Sequence, residues 1–374
     1  MKIIADNKIP FLRGALEPYA EVVYLPGKET TADVVRDADA LITRTRTACN
    51  ASLLEGSKVR VIATATIGFD HIDTAWCEAN GIIWKNAPGC NSWSVKQYVT
   101  AALVTLARKR GLKLEGMTLG VVGVGNVGSK VAEAASILGM KVLLNDPPRQ
   151  RAEGGPFVSL DEIISRSDII TLHVPLQKEG EDATWHLFDA ARLAKLRPSQ
   201  ILINSSRGPV VDNKALKTAL AGHHIAGACL DVWEGEPELD PGLVEMLDLS
   251  TPHIAGYSAD GKANGTTASV RTVAEVLGLP LTDWEATGIP APAQELEFDL
   301  DATGKSMQEV LTEAVLHTYD IEADSNALRA DLGAFEKLRG DYPVRREFTS
   351  FSVRLHGDTP QMAEKLSKLG FSVK

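Results

Sequence analysis

Three side chains with acid–base or anion-binding chemistry follow apolar runs in the second half of the chain. Arg207 lies in NSSRGPVVD, Glu236 in DVWEGEPEL and His253 in STPHIAGY. A histidine titrates near neutrality and suits general acid–base catalysis, and a guanidinium binds a carboxylate through two hydrogen bonds. A carboxylate beside an imidazole favours the protonated ring and fixes which nitrogen faces a substrate. These residue types indicate proton transfer on a carboxylate-bearing substrate.

The position of Glu236 supports this interpretation. It stands between Gly235 and Pro237, where neither a helix nor a strand is expected to continue. A constrained loop holds a carboxylate in place better than a flexible helix surface does. We interpret the neighbouring Glu234 and Glu238 as solvated loop carboxylates. The structural alternatives are a solvated arginine at 207 and a capping or buried histidine at 253.

A glycine motif precedes these stretches in LGVVGVGNVGSKVAEAASILGMKVLLND. Gly123, Gly125 and Gly128 form G-x-G-x-x-G between an apolar strand and a helix, and the next strand ends at Asp146. This context predicts a turn, a close backbone approach to a pyrophosphate, and tight helix–strand packing. Asp146 is expected to bind ribose hydroxyls and to repel a 2′-phosphate, which favours NAD. The nearby Arg149 could instead bind the 2′-phosphate of NADP.

The elements around these motifs alternate strands and helices in two successive runs. Apolar strands are predicted near 2–6, 21–25, 38–43 and 59–65, and again from the glycine motif to residue 232. A helix near 91–110 joins the two runs. The pattern predicts parallel sheets covered on both faces. After a Pro- and Gly-rich stretch at 277–295, the tail predicts a small α+β domain, whose last helix is capped by Asp358 or Thr359.

Composition excludes several classes of function. The 374 residues carry a formal net charge of −10, so wholesale binding to nucleic acid or to an anionic membrane is not expected. The four cysteines form no CxxC pair and no zinc-like spacing with histidine, so we predict reduced thiols and no metal. The N-terminus does not resemble a signal peptide, and no stretch is apolar enough to span a membrane. A cytoplasmic protein is expected.

The glycine motif, NSSRGPVVD, DVWEGEPEL and PHIAGY, in this order, resemble the D-isomer-specific 2-hydroxyacid dehydrogenase family. The resemblance implies a Rossmann-type NAD-binding domain (93–254) nested in a split flavodoxin-like substrate domain (1–92 and 255–285). It also implies a C-terminal α+β domain (290–374) that forms a homodimer. The implied catalytic residues are Arg207, Glu236 and His253, with the histidine taking the hydroxyl proton while hydride passes to NAD. The implied cofactor-binding residues are Gly123, Gly125, Asn126, Val127, Gly128, Asp146, Val174, Asp231 and Gly256.

Further stretches, including PGCN, DPPR and the tail FEKLRGDYPVRREFTSF, are similar to family members that oxidise a phosphorylated hydroxy acid. This similarity implies that Arg207 and the turn near Thr66 bind the substrate carboxylate. Arg44 and Tyr257 are favoured for the phosphate, with Arg46 and Lys262 as alternatives. Thr45 replaces an expected serine and keeps its hydroxyl. Val174 replaces a common threonine at the cofactor edge, where only the backbone is needed.

Two other functions remain as alternatives. One is a broader D-2-hydroxyacid dehydrogenase or reductase, of the glyoxylate, hydroxypyruvate or 3-phosphoglycerate type. The other is an NAD-sensing, corepressor-like binding protein, which could keep this fold and these residues. The tail weighs against a phosphoglycerate dehydrogenase with a regulatory domain and against the corepressor. The broader reductase would need no phosphate pocket, so loss of activity on removing the substrate phosphate would separate it.

Overall fold

The computed structural model describes residues 1–357 and 359–374, and the chain forms two compact units. One comprises Met1–Asn91 and Ser258–Pro290, and the other comprises Ser92–Tyr257 and Ala291–Lys374. The strands are β1 Lys2–Asp6, β2 Glu21–Leu25, β3 Ala40–Thr43, β4 Val61–Thr64, β5 Ile83–Lys85, β6 Thr118–Val122, β7 Lys141–Asn145, β8 Ile169–Leu172, β9 Ile201–Asn204, β10 Gly227–Leu230, β11 Leu249–Ser250, β12 Glu297–Asp301, β13 Ser352–His356 and β14 Ser372–Val373.

The α-helices are α1 Ala32–Val35, α2 Ala51–Leu54, α3 Thr74–Ala79, α4 Ser92–Arg110, α5 Asn126–Ile137, α6 Pro147–Glu153, α7 Leu160–Arg166, α8 Ala190–Leu193, α9 Asn213–Ala221, α10 Pro241–Met246, α11 Ala259–Leu277, α12 Met307–Thr318, α13 Ile321–Ala330, α14 Phe335–Gly340 and α15 Pro360–Leu369. Short 3-10 turns occur at Gly27–Glu29, Gly208–Val210, Leu332–Ala334 and Phe348–Ser350.

The first unit is built on a five-stranded parallel sheet in the order β2-β1-β3-β4-β5. This is the flavodoxin-like order, as predicted. Strands β3 and β4 are buried along their whole length, because apolar clusters cover both faces of the sheet. Helix α11 packs against β4. A Cβ at Gly265 would lie 2.5 Å from the Ala65 carbonyl oxygen, so only glycine permits this approach.

The second unit contains a six-stranded parallel sheet in the order β11-β10-β9-β8-β6-β7. A single bridge between Leu144 and Phe157 extends its β7 edge. The strand order reverses at β6, which pairs with both β7 and β8, and ligands of open α/β sheets bind beyond the strand ends at such a point. The predicted Rossmann-type architecture is confirmed. Helix α4 is buried from Ser94 to Ala107 because it packs in the core beside α5.

The tail adds a three-stranded parallel sheet, β12-β13-β14, to the second unit. Burial alternates along β12, so one face packs on the core while charged side chains occupy the other. Helix α12 packs against α4. Thr359 is the N-cap residue of α15 but makes no side-chain cap hydrogen bond, and Asp358 lies outside the described residues. A small C-terminal α+β domain is thus present, and the three-domain boundaries stay a prediction.

The four cysteines, Cys49, Cys77, Cys90 and Cys229, are free thiols, as predicted. All but Cys90 are buried, and burial raises the pKa of Cys49 to about 12. Such thiols are protonated and unreactive at neutral pH. Among the described helices, none has the length and apolar character needed to cross a membrane.

Candidate active site

His253 and Glu236 form a hydrogen-bonded pair in the second unit. His253 Nδ1 lies 2.8 Å from Glu236 Oε2, and both side chains are partly exposed. Burial raises the pKa of the Glu236 carboxyl, but the hydrogen bond and charge of His253 outweigh burial and make the net pKa lower than usual. The carboxylate therefore stays ionised and orients the imidazole, leaving Nε2 for a reacting proton. This pairing agrees with the prediction made from the residue types.

The loop that carries Glu236 is held by its own backbone and by a neighbouring turn. Glu236 Oε1 accepts a hydrogen bond from Trp233 N at 2.8 Å. The Arg207 turn lies against this loop, since a Cβ at Gly208 would be 1.9 Å from the Trp233 carbonyl oxygen. No other residue fits at position 208 without moving the backbone. The absence of a side chain at Gly208 thus allows the turn that carries Arg207 to lie beside the loop that carries Glu236.

Arg207 follows β9 in a turn fixed by Asn204. The Asn204 amide donates to the Arg207 carbonyl at 2.9 Å, and its oxygen accepts from Ser206 N at 3.1 Å. The half-buried guanidinium donates to the Ser206 carbonyl at 2.8 Å through Nη1. The structure therefore places Arg207, Glu236 and His253 at the carboxyl ends of β9, β10 and β11 in one sheet.

Glu234 corrects one interpretation from the sequence. It is not a free loop carboxylate, because its Oε1 lies 2.7 Å from His186 Nε2 and its Oε2 accepts from Asn213 N at 2.8 Å. Glu238, two residues beyond Glu236, is exposed as expected. The three loop glutamates are thus distinguished by their contacts: one orients His253, one holds the start of α9, and one faces solvent.

Asp231 holds the turn on which His253 stands. Its carboxylate accepts hydrogen bonds from Thr251 Oγ1 at 2.6 Å, from Ile254 N at 2.8 Å and from Ala255 N at 2.9 Å. His253 N donates to the Asp231 carbonyl at 2.8 Å, and His253 adopts a φ of 58°. Burial raises the pKa of the Asp231 carboxyl despite these bonds and the His253 charge. The predicted part of Asp231 in cofactor binding stays a prediction.

Residues outside the predicted set complete this support. Tyr98 Oη lies 2.8 Å from Thr251 Oγ1, which in turn donates to Asp231. Arg345, which is 4% exposed, donates through Nη2 to the carbonyl oxygens of Ile254 and Ala255 at 3.1 and 2.7 Å. Arg345 was not predicted from the sequence, since it lies 90 residues from Ala255. The one sequence signal for Arg345 was its position in the basic stretch DYPVRREF, which does not indicate that it supports the His253 turn.

The glycine loop has the geometry of a dinucleotide-binding turn. Gly123 has a φ of 85°, and a Cβ there would lie 2.5 Å from the His173 carbonyl oxygen and 2.8 Å from Val174 Cγ1. A Cβ at Gly128 would lie 1.9 Å from the Gly123 carbonyl oxygen. Space above Gly125 is open, and this residue is the N-cap of α5. The exposed start of α5 thus offers free backbone donors to a pyrophosphate.

The remaining residues predicted for NAD lie around this loop. Asn126 and Val127 occupy the first turn of α5, and Gly256 lies in the turn closed by the bond from Tyr257 N to the Ile254 carbonyl at 2.9 Å. Asp146 follows β7 and accepts from Val124 N at 2.8 Å and from Arg149 N at 3.1 Å. These residues fit a dinucleotide with its phosphates at the helix start.

Arg149, the feature that could have accommodated a 2′-phosphate, is already paired. Its Nη2 lies 2.7 Å from Glu153 Oε2, and its Nη1 donates to the Val124 carbonyl at 2.6 Å. A paired guanidinium gives less charge to an added phosphate. This pairing agrees with the prediction of NAD. No cluster of metal-ligating side chains occurs in the described ranges.

The residues predicted for the substrate fall in both units. Arg44 and Thr45 follow β3 in the first unit, where Arg44 is half-buried and Thr45 is exposed. Thr66 follows β4, and its hydroxyl lies 2.9 Å from both Thr64 Oγ1 and the Gly68 carbonyl oxygen. Tyr257 belongs to the second unit, where its ring packs edge-on to Tyr342. Their part in substrate binding stays a prediction.

The sheet, the glycine loop and the Arg–Glu–His arrangement are those of an NAD-dependent dehydrogenase, and comparison with known proteins agrees. Residues 91–255 match the family described as D-isomer specific 2-hydroxyacid dehydrogenase, NAD binding domain. Residues 292–370 match a domain of unknown function. The chain belongs to the D-isomer-specific 2-hydroxyacid dehydrogenase family, as its relatives over nearly the whole length also show.

Those relatives are named erythronate-4-phosphate dehydrogenase. The chain is 51% identical over 355 residues to the enzyme of Bacteroides fragilis, covering 94% of this chain and 99% of the relative. It is 43% identical to the enzyme of Pseudomonas putida over 378 residues, covering 99% of each. A solved D-lactate dehydrogenase from Aquifex aeolicus, complexed with NAD and lactic acid, is similar with a TM-score of 0.63 and 27% identity, over 78% of this chain and all of that one.

Proposed function

We propose that this protein oxidises 4-phospho-D-erythronate at C2 to 2-oxo-3-hydroxy-4-phosphobutanoate, with NAD, in pyridoxal 5′-phosphate biosynthesis. The observation that carries the proposal is the ionised Glu236 paired with His253 at 2.8 Å in a dinucleotide-binding unit. The names of relatives that match nearly the whole chain support the particular substrate.

The residues divide the chemistry between them. Neutral His253 accepts the hydroxyl proton at Nε2, while Glu236 stabilises the imidazolium that forms. Arg207 binds the substrate carboxylate and balances the charge that develops on the C2 oxygen. NAD, when bound, supplies the acceptor for the hydride that leaves C2. Asp231 and Thr251 keep the histidine turn in place through the hydrogen bonds described above.

The other binding residues are part of the same proposal. The proposed NAD-binding residues are Gly123, Gly125, Asn126, Val127, Gly128, Asp146, Val174, Asp231 and Gly256. The proposed substrate-binding residues are Arg44, Thr45, Thr66 and Tyr257. Support for Arg44 is its half-buried guanidinium, which pairs with no carboxylate among the described residues.

We also infer a cytoplasmic homodimer that associates through residues 290–374, with domain boundaries as the sequence predicts. The resemblance of the tail supports this inference. Light scattering of the purified protein tests the dimer, and a monomer at micromolar concentration would contradict it.

The activity is tested by oxidation of 4-phospho-D-erythronate, with 3-phosphoglycerate, D-lactate and D-glycerate as comparison substrates. A 2-oxo acid is included, so that a tightly held cofactor is reoxidised in place. We expect selective oxidation of the phosphoerythronate. Activity confined to unphosphorylated hydroxy acids would overturn the substrate and keep the family. Binding of NAD without oxidation of any of them would favour the corepressor-like alternative.

A further inference from the structure

The tail places an unpaired cation beside the candidate active site. Arg339 lies on α14, and its Cζ is 5.5 Å from the centre of the Tyr257 ring. Within residues 1–357 and 359–374, its buried Nε has no hydrogen-bond partner and its guanidinium forms no ion pair. The other tail arginine near the site, Arg345, is bonded to backbone carbonyls. Arg345 also has a buried Nε and Nη1 without a hydrogen-bond partner among the described residues, but its Nη2 is held by these carbonyls and by Ser94, whereas no hydrogen bond or ion pair in that part of the chain holds Arg339.

A guanidinium carries five N–H donors, and leaving them unpaired in a partly buried position costs free energy. Stacking on a tyrosine ring orients the group without satisfying those donors. The charge of Arg339 also lowers the pKa of the Glu236 carboxyl, so Arg339 lies within electrostatic reach of the catalytic pair. An oriented cation with free donors beside a reaction site matches an anionic group of the substrate.

The substrate has two anionic ends, and Arg207 is proposed for the carboxylate next to the reacting carbon. Tyr257, the residue on which Arg339 stacks, is one of the residues predicted for the phosphate. We propose that Arg339 binds the phosphate of the substrate, which gives the domain of unknown function at 292–370 a direct part in substrate recognition. This inference rests on the proposed function and names a residue of its binding site that the sequence analysis did not single out.

The experiment compares Arg339→Gln and Arg339→Lys with wild type in the full-length protein. Lys337→Gln is the matched control, because it removes an exposed positive charge from the same helix. We measure kcat/KM for 4-phospho-D-erythronate and for D-erythronate, which lacks the phosphate. Inhibition by inorganic phosphate and NAD binding are measured in parallel.

In Arg339→Gln we expect kcat/KM for the phosphorylated substrate to fall about ten- to a hundredfold, the size of a lost charged hydrogen bond. The fall for D-erythronate should be at least ten times smaller. Inorganic phosphate should inhibit more weakly, and NAD should bind as in wild type. Arg339→Lys should recover part of the loss, since it keeps the charge but not the planar donors. Lys337→Gln should behave as wild type.

Equal falls for the two substrates would overturn the inference, because Arg339 would then act through Glu236 and His253. Unchanged inhibition by phosphate in Arg339→Gln would also overturn it. Failure of the proposed function looks different: wild type would not oxidise 4-phospho-D-erythronate at all. In that case calorimetric titration of wild type and Arg339→Gln with inorganic phosphate still decides whether Arg339 binds this anion.

Discussion

Glu236 Oε2 lies 2.8 Å from His253 Nδ1, while the other oxygen of the same carboxylate accepts the backbone N–H of Trp233. One oxygen thus orients the imidazole and the other fixes the carboxylate to its own loop. The two residues are 17 positions apart and follow adjacent parallel strands, β10 and β11. The orientation of the imidazole therefore depends on the loops that follow these two strands. Substitutions of individual residues in and around these loops test this dependence.

His253 is expected to be the general base. Replacing it by asparagine, which tolerates the φ of 58° at this position, should lower turnover by roughly a hundred- to ten-thousand-fold. NAD affinity should stay within about threefold, since the glycine loop is untouched. The measurement is kcat together with a fluorescence titration of NAD. His224→Asn, at an exposed position, is the control. Near-normal turnover of His253→Asn would show that His253 is not the general base.

The lowered pKa of Glu236 predicts a pH-dependent contribution to stability. The folded carboxyl has a pKa below its ordinary value of 4.5, so its ionised form stabilises the fold above that pH. This contribution is lost as the pH falls through the folded pKa. Denaturant unfolding of wild type and Glu236→Gln should thus show a free-energy difference at about pH 7 that shrinks below about pH 4.5. A difference that grows on acidification would contradict the pairing.

Gly208 tests the contact between the arginine turn and the glutamate loop. A methyl group at this position would meet the Trp233 carbonyl oxygen at 1.9 Å, so Gly208→Ala forces the two segments apart. We expect a loss of about 1–3 kcal/mol in the free energy of unfolding and a clear fall in kcat. Gly340→Ala, where a Cβ meets nothing within 4 Å, is the control. Unchanged stability and turnover in Gly208→Ala would show that the loops accommodate the methyl group.

Arg345 tests how the tail supports the histidine turn. Arg345→Met keeps much of the side-chain volume but removes the donors to Ile254, Ala255 and Ser94, whose oxygens then lose a buried partner. The free energy of unfolding should fall by about 1.5–3 kcal/mol, as for loss of a charged hydrogen bond. Turnover should fall as well, since the turn that carries His253 loosens. Denaturant titration and kcat measure the two effects.

Lys337→Met is the comparison for Arg345→Met, because it removes an exposed cation from the tail. It should change neither stability nor turnover appreciably. If Arg345→Met unfolds at the same denaturant concentration as wild type, the guanidinium is dispensable for the turn.

Much of the fold could be predicted because its signals are local. Short apolar strands alternating with helices indicate buried parallel sheets, and G-x-G-x-x-G between a strand and a helix specifies one backbone turn. The spacing to Asp146 follows from the same strand–helix–strand unit. The Glu236–His253 pair was also within reach, since both residues follow apolar runs and a carboxylate beside an imidazole is a common acid–base arrangement. Glu234 was misread, because its partner His186 comes from a distant loop.

The sequence by itself determined the doubly wound architecture and the dinucleotide turn and indicated the candidate acid–base residues, because each depends on steric and chemical preferences within a few residues. Only the tertiary structure decided which distant groups complete the site. The bond from Arg345 to Ala255 joins residues 90 positions apart, and Arg339 reaches Tyr257 from the tail. Such contacts depend on how whole elements pack, and no local pattern records which arginine of the tail bonds to a backbone carbonyl and which stacks on an aromatic ring.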